Sequence, residues 1–234
     1  MKKAIIIILI LILMILGIRT TISLLHSATN TEPASNLKII KLPEPTYDSR
    51  TSVEKAFLKR RSVRSYKNEP VTLAETSQLL WAAQGITNPE GFRTAPSAGA
   101  LYPLEVYLIA GNVDSLNAGI YKYKNHRHEL IRVREGDKRK GLSMAAFAQR
   151  AVRNAALDIV ISAVYERTTV KYRKRGIRYV HMEAGHAAQN IFLQAVSLNL
   201  GTVTIGAFWD GQVKRVVNMP DEEHPLYIIP VGRK

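Results

Sequence analysis

One long apolar segment constrains the fold of this chain more than any other feature. The sequence from Arg178 to Leu200 is strongly apolar and is followed by Gly201. Glycine often ends a helix because it adopts the C-terminal cap conformation without steric cost. The pattern therefore predicts one long helix, and its apolar composition predicts that this helix lies at the centre of the core.

Shorter helices and strands are predicted on both sides of this segment. Capping-box patterns at Thr51–Glu54 and Thr72–Glu75 predict helices that run to about Arg61 and to Gly85. A further helix is predicted at 142–154, and strands are predicted at 104–110, in a hairpin over 119–133 that turns at 125–128, and at 157–164, 202–208 and 226–231. Helices that alternate with strands, with a hairpin inserted, predict an α+β fold.

The composition supports one globular domain and excludes cysteine chemistry. The chain has 234 residues, 46% of them hydrophobic, and no cysteine, so disulfides, thiolate metal sites and cysteine nucleophiles are ruled out. Residues 29–50 contain three prolines and are expected to be a linker to a domain at 51–234. The net charge of +14 comes with no nucleic-acid-binding motif. Beyond a solvated surface, we attribute this charge to phosphate binding and to a membrane-facing surface.

Residues 1–28 are expected to form an N-terminal hydrophobic helix. Lys2-Lys3 precedes an unbroken apolar run from Ala4 to Leu16. Continued to Leu25, the segment reaches the roughly 17–25 residues that a membrane span needs. The favoured interpretation is an uncleaved anchor that leaves the domain outside the cytoplasm. The alternative is a cleaved signal peptide and a secreted domain, although His26-Ser27-Ala28 is a poor cleavage site.

Two stretches have the composition of a ligand site. Lys59-Arg-Arg-Ser-Val-Arg-Ser-Tyr66 places three arginines and a serine at a predicted helix end, where charge-assisted donors could hold a phosphate. The stretch from Arg93 to Tyr107 contains a tight turn of small residues, Pro96–Gly99, that leads into a strand. Such a turn lets a ligand approach the backbone. Each stretch alone is also compatible with an ordinary basic helix end or an ordinary turn.

A third stretch, Glu183-Ala-Gly-His-Ala-Ala-Gln-Asn-Ile-Phe-Leu-Gln-Ala195 followed by Leu200–Phe208, completes a recognisable set of motifs. The set resembles the nitroreductase-like FMN flavoproteins, and within them the SagB-type dehydrogenases, from about Thr51 to Gly232. The resemblance implies a mixed, mostly antiparallel sheet flanked by helices, with FMN at the interface of a homodimer. Many nitroreductases have an asparagine shortly after the Pro-Ser, and the sequence Ala100-Leu-Tyr-Pro103 found here favours the SagB-type subgroup.

The resemblance also implies roles for individual residues. The basic segment would hold the FMN phosphate and ribityl chain, the turn would lie against the flavin of the partner subunit, and a strand end would face the reactive N5. The implied FMN contacts are Arg60, Arg61, Ser62, Arg64, Pro96, Ser97, Ala98, Gly99, Ile205, Gly206, Ala207 and Arg233. Lys171 and Tyr172 are the implied catalytic residues, because a Lys-Tyr pair in this place is proposed to handle the substrate proton in SagB-type azoline oxidases. The alternative is that Lys171 belongs to a basic surface run.

The implied activity is that of an FMN-dependent oxidoreductase. Hydride would pass between a small-molecule or peptide substrate and flavin N5 in a ping-pong cycle. The alternatives are an NAD(P)H-dependent nitroreductase or quinone reductase, and a non-catalytic, membrane-tethered flavin-binding or basic interaction domain. No metal is expected, because His181 and His186 would lie about 140° apart around a helix. No nucleic-acid partner is expected either.

Overall fold

A seven-stranded sheet forms the centre of the fold in the computed structural model, which describes residues 38–234. Its strands are β1 (Ile39–Lys41), β2 (Leu104–Ala110), β3 (Gly119–Lys124), β4 (Glu129–Glu135), β5 (Leu157–Ala163), β6 (Leu200–Thr202) and β7 (His224–Arg233). They are ordered β1-β4-β3-β2-β5-β7-β6, and all the named strand pairs are antiparallel. The predicted α+β class is confirmed. The parallel component of the predicted mixed sheet is limited to isolated bridges, such as Ser62 with Thr202.

Helices cover both faces of this sheet. They are α1 (Val53–Lys59), α2 (Leu73–Gln84), α3 (Arg139–Ala145), α4 (Arg150–Asn154), α5 (Glu166–Tyr172), α6 (Arg175–Ser197) and α7 (Asp210–Val217). Helices α2 and α6 pack on one face, where Leu79 and Ile191 meet Leu108 and Ile159 in one apolar cluster. Helices α3, α4 and α7 pack on the other face. Side chains of successive strand residues point to opposite faces, so both sides of β2 and β5 are buried.

Helix α6 is the predicted core helix. Its buried residues recur three and four positions apart, which gives one apolar face; they include Val180, Ala184, Ala187, Ala188, Ile191 and Ala195. The helix begins and ends three residues earlier than predicted. Asn199, with a φ of 56°, takes the left-handed conformation after the helix, so Gly201 belongs to β6 instead of the cap.

The first two helices begin at capped residues. The capping box at Thr72 and Glu75 is formed as predicted, and α2 ends before Gly85. Helix α1 begins one residue later than its pattern predicted, because Ser52 is the N-cap and its Oγ accepts the N–H of Lys55 at 3.2 Å.

Two predicted elements are shorter than expected. The segment predicted as one helix at 142–154 is divided between α3 and α4, because Phe147 and Ala148 have φ values of 56° and 57°. The strand predicted at 202–208 ends at Thr202, after which only Ile205 pairs with β7. Helices α5 and α7 were not predicted.

The segment assigned to a linker is part of the domain from Lys38 onward. Strand β1 pairs with β4, and Leu42 is 2% exposed. Thr46 and Gln78 exchange two hydrogen bonds, of 2.8 and 2.9 Å. The expected hydrophobic helix at 1–28 lies outside the described residues, and none of the helices between Lys38 and Lys234 is long and apolar enough to cross a membrane.

Candidate functional site

The basic segment after α1 lies beside β6. Ser62 forms a parallel bridge with Thr202, and the N–H of Val63 donates to the Thr202 carbonyl at 2.9 Å. Gly201 permits this close approach, since a Cβ there would lie 2.7 Å from Val63 Cγ1. The sheet edge therefore fixes the path of the segment and the position of its arginines.

None of the three arginines of this segment pairs with a carboxylate within residues 38–234. The Arg60 guanidinium lies 5.2 Å from the centroid of the Phe192 ring. Among the residues that the structure describes, Arg61 donates only to backbone carbonyls, and Arg61 and Arg64 are exposed. A cluster of cations without acidic partners is suited to an anionic ligand such as a phosphate.

The chain after β6 presents backbone donors next to open space. Ile205 exchanges two hydrogen bonds with Ile228, of 2.8 and 2.9 Å. The next two N–H groups, of Gly206 and Ala207, have no partner among the described residues. Both residues are exposed, and a Cβ added at Gly206 would meet no atom within 4 Å. A planar ligand with hydrogen-bond acceptors could therefore lie here against the backbone.

The Pro96–Gly99 turn adopts a conformation that depends on its glycine. Gly99 has a φ of 64° inside a short 3-10 turn at Ala98–Ala100. Ser97 closes the turn: its carbonyl accepts the N–H of Ala100 at 3.1 Å, and its Oγ accepts the N–H of Tyr102 at 2.9 Å.

The predicted catalytic pair lies directly against this turn. A Cβ at Gly99 would lie 2.8 Å from Tyr172 Oη and 3.0 Å from Lys171 Nζ. Both side chains come from the C-terminal end of α5, and the Tyr172 ring packs edge-on against Tyr179 of α6 with centroids 5.1 Å apart. The structure thus brings two predicted features together in one cluster. It also gives Gly99 a second reason to be a glycine, because any side chain would displace both polar groups.

Glu183 is a residue of this cluster that the sequence analysis did not select. It lies on α6 and is 2% exposed, and its Oε1 has no hydrogen-bond partner among the described residues. Burial raises the pKa of Glu183 to about 7, while Ser97 and the Arg93 guanidinium oppose this rise. The feature of the sequence that could have indicated Glu183 is its position as an acidic residue on the apolar side of a core helix.

The basic segment and the turn lie on different sides of α6. The Arg60 guanidinium lies over the Phe192 ring, whereas the Asn190 side chain donates to the Thr94 carbonyl, just before the turn, at 3.1 Å. Positions 190 and 192 point about 200° apart around the helix, because each residue turns about 100°. The described chain therefore presents two separate clusters of predicted site residues, one formed by the arginines and the strand end and the other by the turn and the Lys-Tyr pair; we call these two clusters half-sites.

Arg233 is engaged elsewhere. Its guanidinium forms a bidentate ion pair with Glu75, at 2.6 and 2.8 Å, and its Nε donates to the Pro70 carbonyl at 3.1 Å. The predicted contact between Arg233 and the cofactor would require this pair to open.

Comparison with known proteins identifies relatives over most of the domain. The family model described as the nitroreductase family matches residues 57–233. A protein of Methanocaldococcus jannaschii named as a nitroreductase is 47% identical over 182 residues, which are 78% of this chain and 91% of that protein. The microcin B17-processing protein McbC of Escherichia coli is 29% identical over 142 residues, 54% of this chain. The matched region is only 48% of McbC.

Solved structures share the fold. A nitroreductase structure from Anabaena variabilis has a TM-score of 0.74 and 32% identity, and the match covers 84% of this chain but 42% of that chain. A structure of the Escherichia coli microcin synthetase complex McbBCD has a TM-score of 0.67 at 24% identity, over 86% of this chain and 79% of that chain, and shows likeness of fold alone. With the family model matched across residues 57–233 and the Methanocaldococcus protein aligned over most of its length, this chain belongs to the nitroreductase family of FMN-dependent oxidoreductases.

Proposed function

We propose that this protein is a SagB-type dehydrogenase, an FMN-dependent enzyme that oxidises an organic substrate. The observation that carries the proposal is the Lys171–Tyr172 pair held over Gly99. Its relative McbC, named as a microcin B17-processing protein, supports the same subgroup. Bound FMN would supply hydride exchange with the substrate, which no amino-acid side chain provides.

The residues of the two half-sites fit FMN. Arg60, Arg61 and Arg64, with Ser62 between them, offer charge-assisted donors to a phosphate, each contributing about 1.5–3 kcal/mol. The N–H groups of residues 206 and 207, which have no partner between Lys38 and Lys234, suit the acceptor edge of a flavin ring. We assign phosphate and ribityl binding to the basic segment, ring contact to Ile205, Gly206 and Ala207, and the opposing surface to Pro96, Ser97, Ala98 and Gly99.

A homodimer would complete this site. The two half-sites of one chain lie on opposite sides of α6, so one half-site of each copy would need to meet the other half-site of its partner. Nitroreductases are typically homodimeric, which supports this arrangement.

Lys171 and Tyr172 would act on the substrate itself. A substrate that loses a hydride equivalent must also lose a proton. Lys171 Nζ would accept that proton, and Tyr172 Oη would hold the same substrate by a hydrogen bond. The turn excludes side-chain bulk between them, because Gly99 has none.

The test is anaerobic stopped-flow bleaching of the flavin by NADH, NADPH and a thiazoline-containing peptide. Wild type is compared with Lys171→Ala and with Lys174→Ala, an exposed lysine of the same basic run, as the matched control. We expect bleaching by the peptide, slowed by roughly 10²–10⁴ in Lys171→Ala and unchanged in the control. Rapid bleaching by NAD(P)H that is unchanged in Lys171→Ala would reject the proposal.

The second candidate is an NAD(P)H-dependent nitroreductase or quinone reductase. The high identity to the Methanocaldococcus nitroreductase favours it. This candidate predicts bleaching by NADH or NADPH and little effect of Lys171→Ala. If no donor bleaches the flavin, a flavin-binding domain without turnover becomes the better assignment.

For location, we propose a membrane anchor at residues 1–28 with the domain outside the cytoplasm. The apolar run at Ala4–Leu16 supports it. The full chain is expected in the membrane fraction and should resist salt and alkaline washes. Release of the intact chain by those washes contradicts the anchor, and a mature N-terminus near Thr29 would show a cleaved signal instead.

A further inference from the structure

Arg167 is a charged side chain that the proposed mechanism does not use, and it joins α5 to two other parts of the site. Its Nη2 pairs with Glu105 Oε1 of β2 at 2.6 Å, and its Nη1 donates to the Tyr102 carbonyl at 3.2 Å. Tyr102 follows the Pro96–Gly99 turn, and Arg167 lies four residues before Lys171 on α5. One guanidinium therefore connects the helix that carries the Lys-Tyr pair to the chain that leaves the turn.

The backbone at Tyr102 depends on contacts of this kind. Tyr102 has a φ of 46°, in the left-handed region, where a large side chain is strained and persists only when its surroundings hold it. Its N–H donates to Ser97 Oγ at 2.9 Å, and the Arg93 guanidinium lies 4.2 Å from the centroid of its ring. The bond from Arg167 to the Tyr102 carbonyl is a third contact, and of these three it is the one that comes from α5.

The carboxylate that Arg167 meets is itself fixed by the sheet. Glu105 Oε2 pairs with Lys122 of β3 at 3.0 Å, and Lys122 also pairs with Glu223, whose side chain is 3% exposed. Ser162 of β5 donates to the other oxygen of Glu223 at 2.9 Å. An isolated ion pair on a surface contributes little, because both of its side chains must be ordered, but here the acceptor is already held. Arg167 is thus the outer end of a chain of ion pairs that begins inside the sheet.

Arg167 and Lys171 lie on the same face of α5, because residues four apart are neighbours on a helix surface. Arg167 meets the chain just after the turn, and Lys171 meets Gly99 within it. The N–H of Val164 also donates to the Pro103 carbonyl at 2.9 Å, which fixes where α5 begins. Arg167 makes its contact from the helix face itself, so it bears on the distance between this face and the turn.

We propose that Arg167 is a positioning residue that ties α5 to the turn and thereby keeps the Lys-Tyr pair over Gly99. This inference rests on the proposed function, in which that pair acts on the substrate. Two donors of one guanidinium are needed, because one holds the fixed carboxylate and the other holds the strained backbone. A lysine would keep the ion pair with Glu105, but its single nitrogen would lose the Tyr102 carbonyl.

The first experiment is anaerobic stopped-flow bleaching of the flavin over a range of concentrations of the thiazoline-containing peptide. Arg167→Lys and Arg167→Ala should both lower the limiting rate about 10- to 100-fold and change the half-saturating concentration less than about threefold, because a displaced proton acceptor slows the chemical step. Arg167→Lys should still unfold at the wild-type temperature. A limiting rate that recovers in Arg167→Lys would overturn the inference, because charge pairing alone would then explain the role of Arg167.

The coupling to Lys171 separates a positioning role from a general loss of structure. In a Lys171→Ala background, Arg167→Lys should change the limiting rate less than about threefold, because the group that it positions has been removed. An equal proportional loss in both backgrounds would overturn the inference. Arg178→Lys is the matched control and should behave as wild type, since Arg178 is exposed near the start of α6 and pairs with no carboxylate within residues 38–234.

Hydrogen exchange of the full chain without FMN tests the tie without any substrate. Arg167→Lys should speed amide exchange about tenfold in peptides that cover residues 97–103, since the Tyr102 carbonyl loses its partner, and should leave the buried part of α6 unchanged. Unchanged exchange over 97–103, or an equal increase in α6, would overturn the inference. If the peptide does not bleach wild-type FMN, the proposed function fails, and the exchange result alone then decides whether Arg167 holds the turn.

Discussion

The charged side chains of this domain fall into two groups: those that pair with an opposite charge within the fold, and those that remain available to a ligand. Arg167 and Lys122 meet Glu105 at 2.6 and 3.0 Å, and Arg139 meets Asp137 at 2.6 Å. The arginines at 60, 61 and 64 have no such partners among the described residues. Binding free energy for an anionic cofactor should therefore be concentrated in them.

Arg60→Ala or Arg64→Ala should each weaken FMN binding by about 1.5–3 kcal/mol, roughly ten- to a hundred-fold. Each change removes one charge-assisted donor and leaves the fold intact, since both side chains lie outside the core. Isothermal titration with FMN measures the effect. Arg153→Ala, which removes an exposed arginine from α4, is the control and should bind FMN normally. An equal loss in the control would mean that net charge, not the site, governs affinity.

The Glu75–Arg233 pair should contribute to stability in a pH-dependent way. Burial raises the pKa of Glu75, but hydrogen bonds from Arg233 and Thr72 outweigh it and leave the pKa lowered. The stabilisation is therefore present above the unfolded pKa of about 4.3 and is lost as pH falls through the lowered value. Because the pair is partly exposed, Glu75→Gln should cost only about 1 kcal/mol at pH 7.

Chemical denaturation at pH 7 and pH 3 measures this difference. The destabilisation by Glu75→Gln should shrink at pH 3. Glu69→Gln, at an exposed position nearby, should have no effect at either pH. A constant difference between Glu75→Gln and wild type at both pH values would argue against the ion pair as its source.

At the scale of elements, β6 determines where the basic segment lies. Gly201→Ala should push Val63 away from β6, because the new Cβ would lie 2.7 Å from Val63 Cγ1. Both stability and FMN affinity should fall. The double variant Gly201→Ala/Val63→Ala should recover much of the affinity, since it removes the clashing methyl groups. Thermal unfolding and FMN titration test this together; if affinity falls equally in the single and double variants, the clash is not the cause.

Local signals allowed the helix α2 to be predicted at both ends. Thr72, Glu75 and Gly85 act within one turn of their own helix, so their effect is readable from the sequence. The break between α3 and α4 was not predicted. It depends on a left-handed backbone at Phe147 and Ala148, and neither residue type favours that conformation. Strand 202–208 was predicted too long, since β7 pairing, not residue type, decides where β6 ends.

The candidate site shows the same limit. The arginines, the turn and the Lys-Tyr pair could be predicted, because each is a short motif whose residue types indicate its chemistry. The meeting of Lys171 with Gly99 is a contact between distant segments, and only the packing of α5 on the turn shows it. Glu183 was not selected, because nothing in its neighbourhood along the chain shows that the fold buries its carboxyl.

For the whole molecule, two half-sites per chain predict shared sites in a dimer. The Arg60→Ala/Arg64→Ala chain and a Gly99→Ala chain should each bind FMN poorly. Mixed dimers of the two should regain one intact site, formed by the arginines of one chain and the turn of the other.

Co-expression with two different affinity tags, followed by FMN titration of the doubly purified dimer, measures this recovery. About one tight site per mixed dimer is expected. If FMN instead binds within one chain, mixing cannot create a tight site. A flavin-loaded monomer in light scattering would also contradict the shared site.

The strand order has a consequence for synthesis on the ribosome. β7 is the last strand in the sequence described, yet it lies between β5 and β6. While a nascent chain lacks residues 224–233, β5 has an unpaired edge along all seven of its residues, which are buried in the finished fold, and β6 lacks the strand with which it pairs over Leu200–Thr202. Such an apolar edge is a template for pairing between chains. Truncations before His224 should therefore aggregate, and codon changes that slow translation just before that point should lower the yield of soluble protein.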